Sequence, residues 1–260
     1  MDGPAYQHIR LHTDGRVAVV QLHRPLSRNA MSVALMRELT VVAHALAERC
    51  DIDAVLLTGD HTCFAAGADL KDSAGWADAS LSLVQRREIA GVGWRLCKAW
   101  EELPQVSIVA IEGHAVGGGL ALAVACDWRV IADNAFVSLP EIALGIPLTW
   151  GAIPRLVALV GPSRAKRLTI LCERLGAADA LAMGLVDHVT PAGGALVKAA
   201  DLAQQVLAMP AAAVRMSKAT VNAVATAGHL AAGHMGLDQL MLAGASDESK
   251  AARAAALKRR

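Results

Sequence analysis

Two patterns of apolar and polar positions alternate along the first half of the chain. Short runs rich in branched apolar side chains are typical of strands buried in a sheet, whereas longer stretches with a 3.6-residue period are typical of helices. The first predicted helix covers residues 32–49. The predicted strands cover residues 17–22, 53–58, 105–111, 128–131 and 135–139. Because the chain begins with the order strand, helix, strand, the pattern favours an α/β layout over an all-helical bundle.

Helical spacing and a high alanine content dominate the second half of the chain. Residues 161–171 begin with Gly-Pro, and proline is favoured at the first position of a helix. Later helical stretches are interrupted at Pro210, Gly228 and Gly233. They cover residues 195–207, 211–225 and 238 to the end. We therefore predict an α/β core over residues 1–192 and a helical C-terminal region over residues 193–260.

The composition of the 260-residue chain excludes several classes of protein. Charged residues make up 19% and the formal net charge is +1, so no basic surface of the kind that binds nucleic acid dominates the molecule. The N-terminus has no apolar segment of signal-peptide type, and the longest apolar run, residues 115–126, is too short to cross a bilayer. We expect a protein without nucleic-acid or membrane partners.

The cysteines and histidines of the chain indicate its cellular compartment and whether it holds a metal site. The five cysteines form no CxxC pair, which argues against both a disulfide framework and a thiolate zinc site. The nine histidines form no clustered ligand set, which argues against metal catalysis. We therefore expect a cytoplasmic protein with no metal.

Two glycine-containing segments follow predicted strands. In the first, residues 63–71 (CFAAGADLK), small residues around Gly67 allow the backbone to approach a ligand closely. In the second, residues 113–127 (GHAVGGGLALAVACD), three glycines precede a predicted apolar helix whose first amides have no intrahelical partner. No G-x-G-x-x-G is present, which excludes the usual dinucleotide fingerprint. The two segments are therefore candidates for a polar or anionic ligand of another kind.

Together the two segments resemble the signature stretches of the crotonase superfamily, the enoyl-CoA hydratase/isomerase family. Three further stretches extend the resemblance over nearly the whole chain: HRPLSRNAMS, ADNAFVSLPEIALGI and GAADALAMGLVDHV. The resemblance implies a crotonase-like spiral of ββα units with a C-terminal α-helical oligomerisation region. It also implies a homotrimer or homohexamer.

The same resemblance implies the positions of an active site. The backbone amides of Ala68 and Gly118 would form an oxyanion hole for a thioester carbonyl, and Glu141 would be a catalytic carboxylate. The substrate would be an acyl-CoA thioester, so that coenzyme A belongs to the substrate and no separate cofactor is expected. The other positions expected to contact it are Ser27, Arg28, Ala66, Asp69, Leu70, Lys71, Gly117, Thr149 and Trp150.

The chain departs from the hydratase pattern at one of two carboxylates. Family hydratases use two glutamates, and the position of the first is Ala121 here. Hydration needs two groups that hold one water and exchange protons with it and with C2. Moving a double bond needs only one base, which takes a proton from C2 and returns it at C4. We therefore expect double-bond isomerisation, with a single-glutamate hydratase, a non-catalytic acyl-CoA-binding protein and an oligomeric scaffold as the alternatives.

Further expectations concern the surroundings of the site. Apolar neighbours of Glu141, namely Leu139, Ile142 and Trp150, should raise its pKa towards neutrality. Trp150 could reshape the acyl pocket or be an ordinary core aromatic, and Lys71 could meet the CoA phosphates or be an ordinary surface lysine. At the C-terminus the aromatic residue of the hydratases is absent. The basic residues that remain there are Lys258, Arg259 and Arg260.

Overall fold

The computed structural model describes residues 6–72 and 80–258, and a mixed sheet forms its centre. The strands are β1 (Ile9–Asp14), β2 (Val17–Leu22), β3 (Ala54–Thr58), β4 (Val106–Ile111), β5 (His114–Val116), β6 (Trp128–Ala132), β7 (Phe136–Ser138), β8 (Arg174–Gly176) and β9 (His188–Thr190). Six of them form the central sheet in the order β1-β2-β3-β4-β6-β9, antiparallel at β1–β2 and parallel elsewhere. Strands β5, β7 and β8 form a second, smaller sheet.

Helices surround the central sheet. They are α1 (Val33–Ala47), α2 (Leu83–Ala90), α3 (Val92–Glu101), α4 (Gly118–Ala123), α5 (Ala152–Ile170), α6 (Ala177–Met183), α7 (Ala195–Leu207), α8 (Ala211–Ala225), α9 (His229–Ala245) and α10 (Asp247–Lys258). Two short 3₁₀ helices span Pro25–Ser27 and Ile142–Leu144. Local sequence explains two of the helix starts. The Ser32 hydroxyl accepts a hydrogen bond from the Leu35 amide at the start of α1, and Ser82 with Gln85 forms a capping box before α2.

The apolar central strands lie inside the molecule, covered by helices on both faces. Every residue of β3 and β4 is buried, as expected for parallel strands covered on both faces. Helices α1, α3 and α4 contribute to the larger apolar core, while α7 packs small residues such as Ala199 and Ala203 against the opposite face of the sheet. The α/β layout expected from the pattern is therefore confirmed.

Differences from the predicted elements have local causes. Strand β1 was not predicted, because five of its six residues are exposed or polar at the edge of the sheet. Residues 161–171 form only the second half of α5, which begins at Ala152 and is interrupted by Gly161 at φ 77°. Pro162 then resumes the helix, in the position that favours proline.

The stretch from residue 238 is helical as predicted, but the predicted start and the single continuous helix were wrong. Helix α9 begins at His229, continues through Gly233 and ends at Ala245. Ser246 has extended backbone at φ −69° and ψ 133°, and α10 begins after it. A serine at this point favours a new helix start because its hydroxyl can accept hydrogen bonds from amides of the first turn.

The C-terminal helices are attached to the core by polar side chains. On α8, the Lys218 ammonium donates to Asp127 Oδ2 at 2.5 Å and to the Gln105 carbonyl at 2.6 Å, and Arg215 donates to the Ile52 carbonyl at 2.6 Å. Helix α9 packs on α2 and α5, and α10 packs on the 3₁₀ helix that follows Glu141. The C-terminal helices therefore reach the segment that carries the candidate carboxylate, and the division at residue 192 stays a prediction.

The described residues lack two features, a membrane-spanning helix and a side-chain cluster for a metal ion. No helix among them has the length and apolar character needed to cross a membrane. They also contain no group of three or more His, Cys, Asp or Glu side chains that could hold a metal ion. All five cysteines are free thiols, and burial raises the pKa of Cys97 and of Cys126 to about 12.

Candidate active site

A cavity of about 200 Å³ lies where the two glycine-containing segments meet the loop after β7. Helices α1 to α4 and the C-terminal helices α9 and α10 contribute to its wall. Most of the lining is apolar. Among the described residues, the charged side chains that line it are Asp69, Asp72, Glu141 and Arg253. A concave, mostly apolar pocket with a few polar groups is the usual form of a small-molecule site.

The first segment exposes one backbone amide. The Met31 amide donates to the Gly67 carbonyl at 2.8 Å, and the Asp69 amide donates to the Met31 carbonyl at 3.1 Å. Successive N–H groups of an extended chain point to opposite sides, so the Ala68 amide points away from Met31. Within the described residues it donates to no backbone acceptor. The Ala68 amide is therefore available to a ligand.

The second segment turns sharply into α4. Gly117 has φ 53° and ψ −121°, and its amide donates to the Ser138 carbonyl at 2.9 Å. Its carbonyl accepts the first hydrogen bond of α4, from Ala121 at 2.9 Å. Gly118 is the first residue of α4, so its amide has no acceptor within the helix. This turn requires glycine at position 117, because side chains are disfavoured at such a φ value.

Close packing brings the two segments and Glu141 together. A Cβ atom at Gly67 would lie 2.9 Å from the Val116 carbonyl oxygen. A Cβ atom at Gly117 would lie 3.8 Å from the Gly67 Cα and 2.6 Å from Glu141 Oε1. A side chain at either position would therefore overlap its neighbours, and only glycine allows the segments to approach this closely. The carboxylate therefore lies directly against the glycine turn that precedes α4.

Glu141 is half-buried, and one of its carboxylate oxygens is enclosed and unsatisfied. It lies between Pro140 and the 3₁₀ helix Ile142–Leu144, and among the described residues its Oε2 atom has no hydrogen-bond partner. Loss of solvation raises the pKa of Glu141 to about 7, and a hydrogen bond from its own backbone amide acts in the opposite direction. The expected rise in pKa is confirmed. Of the apolar neighbours named for it, Leu139 is buried and Ile142 is 45% exposed.

Replacing Glu141 with Gln should stabilise the protein above pH 7. The folded-state pKa of about 7 lies above the ordinary 4.5, so the folded chain binds the proton more tightly and its stability falls as the pH rises through this window. A neutral amide avoids this loss of about 3 kcal/mol. Urea unfolding of both proteins at pH 4 and pH 8 measures the free energy of unfolding. We expect the variant to exceed the wild type only at pH 8. An equal difference at the two pH values would contradict a raised folded-state pKa.

The structure brings most of the expected site residues to one cavity. Ala66, Asp69, Leu70, Gly117, Thr149 and Trp150 line it together with Ala68, Gly118 and Glu141. Ser27, Arg28 and Lys71 are not among its lining residues. Arg28 instead contributes backbone: its carbonyl accepts from the Ala66 amide at 3.0 Å, which holds the first segment in place. The Lys71 side chain is exposed, and its contact with CoA stays a prediction.

Asp69 has a structural partner that sequence reasoning missed. Its Oδ2 atom accepts from Arg24 at 3.0 Å, and its Oδ1 atom accepts from the Lys71 amide at 3.1 Å. Arg24 also donates to the Ala30 carbonyl. The pair therefore ties the first segment to the turn that follows β2. The residue type gave no signal for this pairing, since 45 positions separate the partners.

The C-terminal helices add two lining residues that were not predicted. Leu240 comes from α9 and Arg253 from α10, and burial lowers the pKa of Arg253. The sequence had pointed instead to Lys258, Arg259 and Arg260, of which the last two lie outside the described residues. No local pattern in the sequence identifies Arg253, because the contact of Ser249, one helical turn earlier, with Gly145 in the loop after Glu141 forms only in the folded chain.

Among the described residues, Ala121 leaves the cavity lining with one suitable acid–base group. Its methyl group lies in the wall and is 1% exposed. Of the other lining carboxylates, Asp69 is engaged by Arg24 and Asp72 accepts from the Val33 amide at 2.7 Å. Glu141 is therefore the carboxylate placed beside the two segments with available amides. The arrangement can bind a polarised oxygen and move one proton next to it.

The chain is similar to one family over almost its whole length. The sequence profile of the enoyl-CoA hydratase/isomerase family matches residues 12–258. The chain is 36% identical over 222 residues to a probable enoyl-CoA hydratase of Mycobacterium tuberculosis, covering 84% of this chain and 82% of that protein. It is 32% identical over 219 residues to a crotonyl-CoA hydratase of Syntrophomonas wolfei, with 84% and 82% covered. An enoyl-CoA hydratase structure from Mycobacterium avium subsp. paratuberculosis matches with a TM-score of 0.87 at 27% identity, covering 98% of each chain.

Proposed function

The chain belongs to the enoyl-CoA hydratase/isomerase family and has its crotonase-like α/β fold, and from this premise we propose that it is an enzyme acting on acyl-CoA thioesters. We further propose that it favours double-bond isomerisation over hydration. One observation carries the proposal: the half-buried carboxylate of Glu141 contacts the glycine turn at Gly117 inside a cavity that Ala68 and Gly118 also line. Coenzyme A belongs to the substrate, and the chemistry needs no other cofactor.

Backbone amides stabilise the charge that develops during the reaction. The Ala68 and Gly118 amides donate to the thioester oxygen, which becomes an enolate oxygen when C2 loses a proton. Fixed donors in a water-poor cavity cost little reorganisation as this charge forms, and each contributes on the order of a hundredfold in rate. The available Ala68 amide and the unpaired first amide of α4 support this assignment.

Glu141 moves the proton between two carbons. In a 3-enoyl thioester its carboxylate removes a proton from C2, and the electrons of that C–H bond form a dienolate whose charge rests on the thioester oxygen. The protonated Glu141 then returns the proton to C4. The double bond shifts from C3–C4 to C2–C3, and no atom is gained or lost. A pKa of about 7 suits a group that must both accept and donate a proton near neutral pH.

Hydration is the second candidate, and the relatives favour it. Two proteins more than 30% identical to this chain are a probable enoyl-CoA hydratase and a crotonyl-CoA hydratase. Ala121 argues against efficient hydration here, because water addition needs a second group to hold the water and share its protons. The apolar wall at this position supports isomerisation.

Assembly into homotrimers or homohexamers through the C-terminal helices forms part of the proposal. Large apolar side chains are exposed on α8 and α9, including Met216 at 70% and Val224 at 77%. A monomer rarely leaves so many on one region of its surface. Sedimentation equilibrium with the full chain should give the mass of three or six copies.

A substrate panel tests the preferred reaction. Isomerisation of a 3-enoyl-CoA should exceed hydration of the matching 2-enoyl-CoA by at least about tenfold in kcat/KM, because hydration lacks one proton-transfer group. The absorbance of the conjugated 2-enoyl thioester rises during isomerisation and falls during hydration, so it measures both rates. Equal rates would contradict the isomerase proposal. Acyl-CoA binding with neither reaction would indicate a non-catalytic binding protein.

A further inference from the structure

The indole of Trp150 lies between glycines of two neighbouring helices. A Cβ atom at Gly93 in α3 would lie 2.0 Å from its Cε2 atom, and a Cβ atom at Gly118 in α4 would lie 2.3 Å from its Cζ3 atom. The ring therefore fits only because both positions are glycine. Residues three apart share a helix face, so the ring covers the face of α4 that carries Gly118 and Ala121.

The orientation of the ring places its apolar edge towards the glycine turn. The Nε1 atom, its one polar atom, would lie 2.2 Å from a Cβ at Gly93 and so faces α3. The carbon atoms Cζ3 and Cη2 face Gly118. Glu141 lies against Gly117, the adjacent residue of the same turn. The indole thus presents carbon, and no hydrogen-bonding atom, to the part of the cavity next to the carboxylate.

A buried ion pair holds Trp150 in an unfavourable backbone conformation. Its φ is 59°, a region that bulky residues rarely adopt. Its carbonyl accepts from Arg155 Nη1 at 3.0 Å, and Arg155 also donates to both carboxylate oxygens of Glu101, at 2.8 and 2.7 Å. Arg155 is 6% exposed. Strain that the surroundings maintain in this way is common at functional sites.

We infer that Trp150 determines the choice of reaction: its indole keeps water out of the space beside Glu141, so that the dienolate is protonated at C4 and no water then adds at C3 of the resulting 2-enoyl thioester. The inference rests on the proposed isomerase function. Water can add only if a molecule lies within hydrogen-bond reach of the base. The carbon edge of the indole and the methyl group of Ala121 line the same side of the cavity, and neither offers a hydrogen-bonding atom there.

Replacing Trp150 with Gly tests water exclusion without relying on turnover. Glycine accepts the φ of 59° without strain, and the space left by the ring should admit water to Glu141. The Glu141 pKa should then fall from about 7 by at least about one unit towards 4.5, since solvation favours the charged form. NMR titration of protein labelled with ¹³C at the glutamate carboxyl carbon measures it, with the resonance assigned by its loss in Glu141→Gln. An unchanged pKa would overturn the inference.

A second variant moves the ring and leaves Trp150 in place. In Gly93→Ala the new methyl group would overlap the indole and displace it, so the Glu141 pKa should fall in the same direction. The other charged side chains lining the cavity, Asp69, Asp72 and Arg253, are unchanged in both variants. Trp128→Gly, at a tryptophan on β6 outside the cavity lining, is the matched control and should leave the Glu141 pKa at about 7. No shift in Gly93→Ala, or an equal shift in Trp128→Gly, would overturn the assignment.

The ratio of products separates this inference from the proposed function. Trp150→Gly should raise the ratio of hydration to isomerisation by about tenfold, because water gains access to the base. If the wild type isomerises and the variant shows the same product ratio and the same Glu141 pKa, the inference about Trp150 is wrong. The isomerase proposal then stands. If the wild type does not isomerise but the pKa falls in the variant, water exclusion stands and the isomerase proposal fails.

Discussion

Glu141→Gln should lower kcat/KM for isomerisation of a 3-enoyl-CoA by a factor on the order of 10³. The amide cannot accept the C2 proton, and general acid–base catalysis by one positioned group contributes on the order of 10² to 10⁴ in rate. In the proposed mechanism one group both removes the proton and returns it, so both transfers would be lost. Because Gln has nearly the same shape and the cavity lining is otherwise unchanged, acyl-CoA affinity should be retained, as measured by isothermal titration calorimetry.

The pH profile and a control carboxylate sharpen this prediction. Only deprotonated Glu141 can remove the proton, so wild-type kcat/KM should rise with pH and reach half its maximum near the pKa of about 7. Glu48→Gln, at an exposed residue just after α1, should match the wild type at every pH. Retention of more than about a tenth of the activity by Glu141→Gln would show that another group is the base.

Ala68→Pro should lower kcat for isomerisation by a factor on the order of 10². Proline removes the backbone N–H and leaves the rest of the main chain in place, and loss of one oxyanion donor typically costs 10² to 10³ in kcat. The fold should tolerate the change, because within the described residues this amide supports no backbone hydrogen bond and the preceding residue, Gly67, is a flexible glycine. Steady-state kinetics on purified protein measures the loss.

Ala68→Ser is the matched control for the amide. Serine keeps the backbone N–H and adds a side chain of similar size, so its kcat should stay close to that of the wild type. The charge on the thioester oxygen is greater in the enolate than in the substrate, so the proline variant should lose more in kcat than in affinity for a saturated acyl-CoA. A proline variant that folds and retains wild-type kcat would remove Ala68 from the oxyanion hole.

Features that depend on neighbouring residues were predictable from the sequence. Strands β2, β3 and β4 were found because their branched apolar runs reflect burial, which covers both faces of β3 and β4. The two glycine segments and Glu141 were found because their spacing resembles a family pattern. The pKa shift of Glu141 was also anticipated in direction, since its immediate sequence neighbours are apolar.

Features that depend on distant residues were not predictable. Arg24 pairs with Asp69 across 45 positions, and Arg253 enters the cavity from a helix more than one hundred residues beyond Glu141. Strand β1 lies at an exposed edge, where polar side chains are compatible with strand structure and conceal the pattern. Such pairings leave no local periodicity, because the partners satisfy each other only after the chain has folded.

By itself the sequence determined the α/β layout, the crotonase resemblance and one acid in place of two, because periodicity and motif spacing are properties of neighbouring residues. Only the tertiary structure decided what surrounds that acid. Two glycines on separate helices leave the space that the Trp150 indole fills, and α9 and α10 close the cavity from the far end of the chain. The physical reason is that solvation of Glu141 depends on which side chains exclude water from it, and these come from many positions along the chain.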